Sequence, residues 1–281
     1  MITDALLDAL KDCAVALPFL FAVYLLMEAL EKNSSLLTGK LFRKSEYLGP
    51  LLGSVLGLIP QCGFSAAMSN LYVGGVIGVG TLISVFLATS DEAVMIILGN
   101  PGSYHVLWKL LLVKFITGAF FGYILNIIFG NLKKGKEVGD ICTDEHCGCE
   151  ESRSVFKPAL IHTLKILAWL FGISFLLNIL IALIGNENLS SLLGGNLFLQ
   201  PLITALLGLI PNCAVSVLFT ELYLAGSLSF ASTAAGLCSG AGLGLIVLFK
   251  MCRNKKECLL ITALLYACSG ITGLVLNFIP L

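Results

Sequence analysis

Charge is scarce in this chain. Asp, Glu, Lys and Arg together supply 12% of its 281 residues, against 57% hydrophobic residues and a mean hydropathy of +0.96. That balance excludes an ordinary soluble domain and points to an all-α polytopic membrane protein. Apolar runs cover about 13–30, 47–59, 63–98, 107–130, 159–184, 193–210, 214–249 and 258–281, and several reach the ~20 residues needed to cross a bilayer as a helix. A basic n-region is missing too, since Asp4, Asp8 and Asp12 stand in its place, so no cleavable signal peptide is expected. Without a Walker or phosphorylation motif, ion or proton coupling is expected rather than ATP. Without Cys-x-x-Cys or a cofactor site, a membrane-embedded thiol redox enzyme using Cys62 and Cys213 is the weaker alternative. No resident cofactor and no nucleic-acid partner are expected.

The net charge of zero says little, but its distribution says more. Thirteen of the 17 Lys and Arg residues fall in 32–46, 133–157 and 250–256, and none falls in 99–106 or 185–200. The positive-inside rule makes the first three segments cytoplasmic and the last two external. The chain also repeats itself. Residues 50–75 (PLLGSVLGLIPQCGFSAAMSNLYVGG) and 201–226 (PLITALLGLIPNCAVSVLFTELYLAG) align without a gap at an offset of 151, with 12 of 26 positions identical. At that offset the basic loop 32–46 corresponds to the Lys/Arg-free 185–197, and 99–105 corresponds to 250–256. Equivalent loops thus lie on opposite faces, which predicts two inverted-topology repeats: 1–131 and 158–281, joined by a cytoplasmic linker, 132–157.

Parity then sets the path. An odd number of crossings must separate 32–46 from 99–106, and 47–98 is too long for one helix. The economical solution is a re-entrant hairpin followed by one span. Each half then has three transmembrane helices and one re-entrant helical hairpin, ten helical segments in all. Spans are predicted near 13–31, 78–98, 107–130, 158–184, 228–249 and 258–279, with hairpins at 47–74 and 198–225 and both termini external. Three short tilted crossings within 47–98 keep the parity but strain the lengths. Re-entrant backbone is tolerated at membrane depth only when buried in protein or lining a wet cavity, and a Pro-interrupted apolar segment in each half is a pointer to a transporter's binding site.

The tips carry Gln61-Cys62 and Asn212-Cys213, and Ser65 and Ser216 follow one turn later. A single Pro-x-Cys reads as a helix kink with a small core thiol. Two matched copies favour a substrate site near mid-bilayer. The third membrane segment holds adjacent acids, Thr89-Ser90-Asp91-Glu92. Intramembrane carboxylates cost at least ~2.5–3.5 kcal/mol each and are functional candidates. Thr89-x-x-Glu92 has the form of a capping box, which predicts a helix break there, and Ser239-Gly240-Ala241-Gly242 is equally suited to one. The alternative is that Asp91 caps backbone N–H groups while Glu92 sits near the external interface. Secondary candidates are Glu28 near a span end, Glu221 in the second hairpin, and the matched pair Asn126 and Asn277, which suit helix packing or a cavity wall. Asn178 and His162 carry less weight.

The ten cysteines divide three ways. Cys62 and Cys213 belong to the tips, while Cys13, Cys238, Cys252, Cys258 and Cys268 are scattered packing residues. Cys142, His146, Cys147 and Cys149 lie in the linker, in a reducing compartment where disulfides are not expected. Their density suits Zn²⁺ or another thiophilic metal, but C-x3-H-C-x-C is not a standard finger, and a charged disordered connector is the other reading.

The pieces PFLFAVYLLMEALE (18–31), GLIPQCGFSAAMSNLYVGG (57–75), TLISVFLATSDEA (81–93), HTLKI (162–166) and GLIPNCAVS (208–216) resemble a prokaryotic family of ten-helix heavy-metal exporters. Its members are labelled manganese transporters or arsenic efflux proteins. The resemblance covers nearly the whole chain outside the linker, and the tip more distantly resembles permeases linked to organoarsenical export. It implies outward transport across a prokaryotic cytoplasmic membrane.

The substrate stays open at this level. Asp91, Glu92, Gln61, Asn212 and Glu221 form an oxygen-rich set suited to Mn²⁺ and similar cations, with Cys62 and Cys213 adding softness. Helix N-termini after Pro60 and Pro211 favour anions instead, and neutral arsenicals would suit the thiols. Buried carboxylates would repel an anion, so the reading is an alternating-access secondary transporter of a divalent metal cation, coupled to protons or Na⁺. An arsenical or oxyanion permease and an ion channel are the alternatives. The expected partners are the lipid bilayer and the metal ion; a homodimer is left open.

Overall fold

A computed structural model describes residues 48–59, 62–89, 92–99, 104–129, 198–252 and 254–279, together with isolated positions between 10 and 25 and between 160 and 175, which are helical. Among the described residues there are helices and no strands. In chain order they are α1 (Leu48–Gly57), α2 (Cys62–Val73), α3 (Val79–Ala88), α4 (Glu92–Leu98) and α5 (Tyr104–Phe129). After these come α6 (Gln200–Gly208), α7 (Cys213–Leu224), α8 (Phe230–Ser239), α9 (Leu243–Met251) and α10 (Lys255–Leu276). The linker 132–157, the basic loop 32–46 and the predicted external segment 185–197 lie outside the described residues.

Local chemistry explains the boundaries. Asn212, Ser229 and Asn254 cap α7, α8 and α10, their side-chain oxygens accepting from Ala214, Ser232 and Lys256 N–H, which satisfies donors that have no partner within the helix. After α2, Gly75 takes φ 74°, and after α7, Gly226 takes φ 75°. Val76 N–H then returns to Leu71 O at 2.8 Å, as Ser227 N–H does to Leu222 O at 2.9 Å. This is the Schellman closure, whose left-handed residue is most cheaply a glycine.

The starts of α2, α3, α4 and α5 (62, 79, 92, 104) recur at 213, 230, 243 and 255, each 151 residues later. Packing recurs with them. A Cβ placed on Gly122 would lie 2.8 Å from Ser84 Cβ, 2.9 Å from Pro50 Cβ and 3.0 Å from Gly80 O. One placed on Gly273 would lie 2.6 Å from Pro201 Cβ, 2.7 Å from Ala235 Cβ and 3.2 Å from Ala231 O, the same three positions shifted by 151. In each half a glycine therefore lets three helices meet at backbone distance: α1, α3 and α5 in one, and α6, α8 and α10 in the other. Polar pins hold the second set, with Thr204 Oγ1 donating to Ser232 O at 2.7 Å and Ser232 Oγ to Gln200 Oε1 at 2.8 Å.

Two further pairings cross between halves. α2 packs on α9, and α7 packs on α4. One apolar cluster accordingly joins Tyr72, Leu82 and Phe86 to Leu245, Leu248 and Leu265, and a second joins Ala93, Val94 and Ile97 to Val215, Phe219 and Leu237.

Among the described residues, three stretches are long and apolar enough to cross a membrane: Tyr104–Phe129, Lys255–Leu276 and Phe230–Met251, the last made of α8 and α9. Phe230–Met251 is central, with 94% of its apolar window buried against 22% for Tyr104–Phe129. On α5, Trp108, Leu112, Ile116 and Phe120 recur every fourth residue and are all more than half exposed, forming the outward stripe that lipid covers.

Gly273→Val places a branched side chain where even a Cβ is too close. It should lower thermal stability in detergent by about 1–3 kcal/mol, whereas Gly172→Ala, with nothing within 4 Å, should leave the melting temperature unchanged.

Candidate functional site

Two helices break inside the core. α3 ends at Ala88, Thr89 turns extended at ψ 125°, and α4 begins at Glu92. α8 ends at Ser239, and Gly242, at φ 51°, opens α9 at Leu243. Both breaks fall where the sequence predicts them. Thr89 is the C-cap of α3, and its hydroxyl donates backwards to Val85 O at 2.8 Å; residues 90 and 91, between it and α4, lie outside the described residues.

A buried lysine that sequence reasoning passed over joins the two breaks. Lys114, on α5, is fully buried. Its Nζ donates to the carbonyl of Thr89, which caps α3, and to Leu237 O at 2.7 Å, in the last turn of α8. Carbonyls at helix C-termini have no intrahelical partner and form the negative end of the helix dipole, so an ammonium suits both. Lys114 lies ten residues into α5, about 15 Å from its start, near the middle of a bilayer-length helix. Cys238 and Thr117 lie alongside, their Sγ and Oγ1 4.0 Å apart.

The helices that lead into the two Pro-x-Cys segments end against the same two breaks. A Cβ on Gly57, at the end of α1, would lie 2.8 Å from Val85 O and 2.9 Å from Ala88 Cβ, at the end of α3. One on Gly208, at the end of α6, would lie 2.1 Å from Ser239 Oγ and 2.2 Å from Gly236 O, at the end of α8. The ends of α1 and α6 therefore lie against the two broken helices, and Lys114 ties those two helix ends together. The second arms finish the enclosure. Ser65 is buried against Gly244, whose Cβ would lie 3.0 Å from Ser65 Cβ, and Ser69 Oγ donates to Gly244 O at 2.7 Å. Ser216 is buried on α7, which packs on α4.

Other candidates spread out. Asn212 is the half-buried N-cap of α7, and Cys213 is a half-buried cysteine, outside any disulfide, in its first turn. Asn126 packs against Gly78 and Gly80, at the other end of α3 from the break. Asn277 caps the C-terminus of α10, and Glu221 is exposed on α7. Cys62 and Glu92 begin helices, but their side chains lie outside the described residues, as do Gln61, Ser90, Asp91, Glu28, Cys142, His146, Cys147 and Cys149. Among the described residues, no group of three or more His, Cys, Asp and Glu side chains is placed to hold a metal ion.

Apolar spans, an outward lipid-facing stripe and a polar crossing of broken helices define a multi-pass helical membrane protein. Residues 1–186 match the family described as "Putative, 10TM heavy-metal exporter", and the chain belongs to that family. The match covers the first tip and break and stops before the second. No curated protein and no solved structure matches the chain.

Exposure separates the described thiols. Cys213 should react readily with a maleimide in detergent, while the buried Cys238, Cys252, Cys258 and Cys268 should resist until the protein unfolds. Peptide mass spectrometry reads the order of labelling.

Proposed function

We propose that the protein is a secondary transporter that exports a divalent metal cation, Mn²⁺ or a softer heavy metal, by alternating access. Membership of the exporter family supports the class. The observation that carries the mechanism is the meeting of two helix breaks at one buried crossing, with the ends of α1 and α6 packed against them. Broken helices place free backbone groups where an ion can use them, and such backbone survives at membrane depth only inside protein or around a cavity. In this reading the two halves are inverted repeats and the tips belong to re-entrant hairpins. The basic loops and linker are cytoplasmic, both termini are external, and the membrane is the prokaryotic cytoplasmic one.

Asp91 and Glu92 follow the Thr89 break directly. One of them holds the cation or exchanges protons against it. Gln61, Cys62, Ser65, Asn212, Cys213 and Ser216 complete the shell, with oxygen donors for a hard ion and thiolates for a softer one. The linker cluster Cys142, His146, Cys147 and Cys149 would hold a thiophilic metal on the cytoplasmic side. One observation favours a second reading. The positive charge of Lys114 and the N-termini of α2 and α7 together suit an arsenical oxyanion.

Proteoliposome transport of Mn²⁺, Cd²⁺, Zn²⁺ and arsenite, with and without a pH gradient, separates these readings. Cation flux that runs uphill on the gradient and falls at least about 100-fold in Asp91→Asn is expected for an essential intramembrane carboxylate. Arsenite flux with no cation flux would favour the oxyanion reading. Unchanged cation transport in Asp91→Asn removes the carboxylate from the site.

A further inference from the structure

The turn between α9 and α10 brings two cysteines together. Cys252 is the C-cap of α9, Cys258 lies in the first turns of α10, and both are buried. Their bonds cross. Leu248 O accepts the Cys252 N–H at 2.9 Å and the Cys258 thiol at 3.6 Å. Asn254 O accepts the Cys258 N–H at 3.3 Å and the Cys252 thiol at 3.6 Å. Each carbonyl thus takes the main chain of one cysteine and the side chain of the other. That crossing sets the two sulfurs side by side, and the thiols interact directly. Neither is in a disulfide. Tyr72, buried on α2, donates to Glu257 Oε1, which anchors the start of α10 to another helix. At the repeat offset, Pro101 and Leu107 in the first half correspond to Cys252 and Cys258. The shared frame therefore requires sulfur at neither place.

We propose that Cys252 and Cys258 form a binding site for a soft metal ion that two thiolates satisfy, such as Hg²⁺ or Cu⁺. Thiolates select soft ions over hard ones. Among the described residues no group of three His, Cys, Asp or Glu side chains is placed to hold a metal. That disfavours Zn²⁺, which takes four ligands, and leaves an ion content with two sulfurs. Two metal–sulfur bonds of about 2.3 Å hold their sulfurs within about 4.6 Å of each other, which adjacent thiols reach by small side-chain rotations. Binding of Hg²⁺ forms two Hg–S bonds and releases both thiol protons, with no change of oxidation state. A thiol is a weak donor, so little is lost when the bonds to Leu248 O and Asn254 O are given up. The ion enters through the turn, where Asn254, Lys255 and Lys256 are exposed. The site is separate from the crossing of broken helices and does not depend on the cation-export reading.

Two measurements test this. Arg253, Lys255 and Lys256 lie between the cysteines, so trypsin separates them into peptides 251–253 and 257–281. Wild-type protein in detergent is saturated with Hg²⁺, unfolded in excess N-ethylmaleimide, digested and read by mass spectrometry. The expected product is these two peptides joined through one mercury atom at Cys252 and Cys258, with Cys268 carrying maleimide. Recovery of Cys252 and Cys258 as maleimide adducts, or joined through mercury to other cysteines instead, overturns the proposal. In parallel, the Hg²⁺ retained after dialysis against glutathione is counted in Cys252→Ser, Cys258→Ser and the double variant, whose hydroxyls can still donate to the two carbonyls. All three should retain one ion per chain fewer than the wild type, because neither thiol holds the ion alone, and Cys268→Ser should match the wild type. An unchanged count in either single variant, or a loss of two ions in the double variant, overturns the proposal. If a variant fails to fold, the wild-type product decides alone.

Discussion

A charge kept inside a membrane protein must be surrounded by groups that replace its water, and Lys114 imposes that requirement on its surroundings. An ionised side chain at bilayer depth costs about 2.5–3.5 kcal/mol or more. Hydrogen bonds to a charged group contribute about 1.5–3 kcal/mol each, so two of them are of the size needed to offset that cost. The acceptors Lys114 uses are main-chain carbonyls at helix ends. Helices must therefore end in mid-core, which Thr89 brings about on one side and Gly240 to Gly242 on the other. Ended helices must in turn be shielded from lipid. The helix pairs α1–α2 and α6–α7 provide that shielding, and they fit closely because Gly57 and Gly208 carry no side chain.

Much of this is legible in the sequence because it is written locally. The breaks at Thr89 and Gly240, the Pro-x-Cys turns and the 151-residue repeat each rest on residue types within a few positions of one another. Two of the partners of Lys114 are main-chain carbonyls, which every residue possesses and no motif advertises. The available signal was its solitude in an apolar run, where an intramembrane ionisable residue is a functional candidate by default. Thr89 marks the end of α3, where its hydroxyl bonds back to Val85 O, as threonine hydroxyls do near helix ends. The pairing of α2 with α9 and α7 with α4 joins segments more than a hundred residues apart, and no periodicity specifies such a contact.

The repeat is closest where geometry demands it and loosest where chemistry occurs. Gly122 and Gly273 meet equivalent neighbours, and Gly75 and Gly226 have φ within a degree of each other. Yet Thr-Ser-Asp-Glu in the first half corresponds to Gly-Ala-Gly-Leu in the second, and Lys114 corresponds to Leu265. Duplication supplied a frame that positions two helix ends together. Divergence then placed the acids and the ammonium in one half, so the crossing is electrically lopsided within a nearly symmetrical scaffold.

The exchanged packing of the second arms has a consequence for how the chain is made. When α4 leaves the ribosome, the helix that will cover it, α7, is more than a hundred residues from being synthesised. α2 waits longer still for α9. Neither half can close its own core, so the early helices must be held in the membrane, or by the insertion machinery, until the last third of the chain arrives. The assembly is completed only near the end of translation, and a truncated product would leave α2 and α4 without α9 and α7.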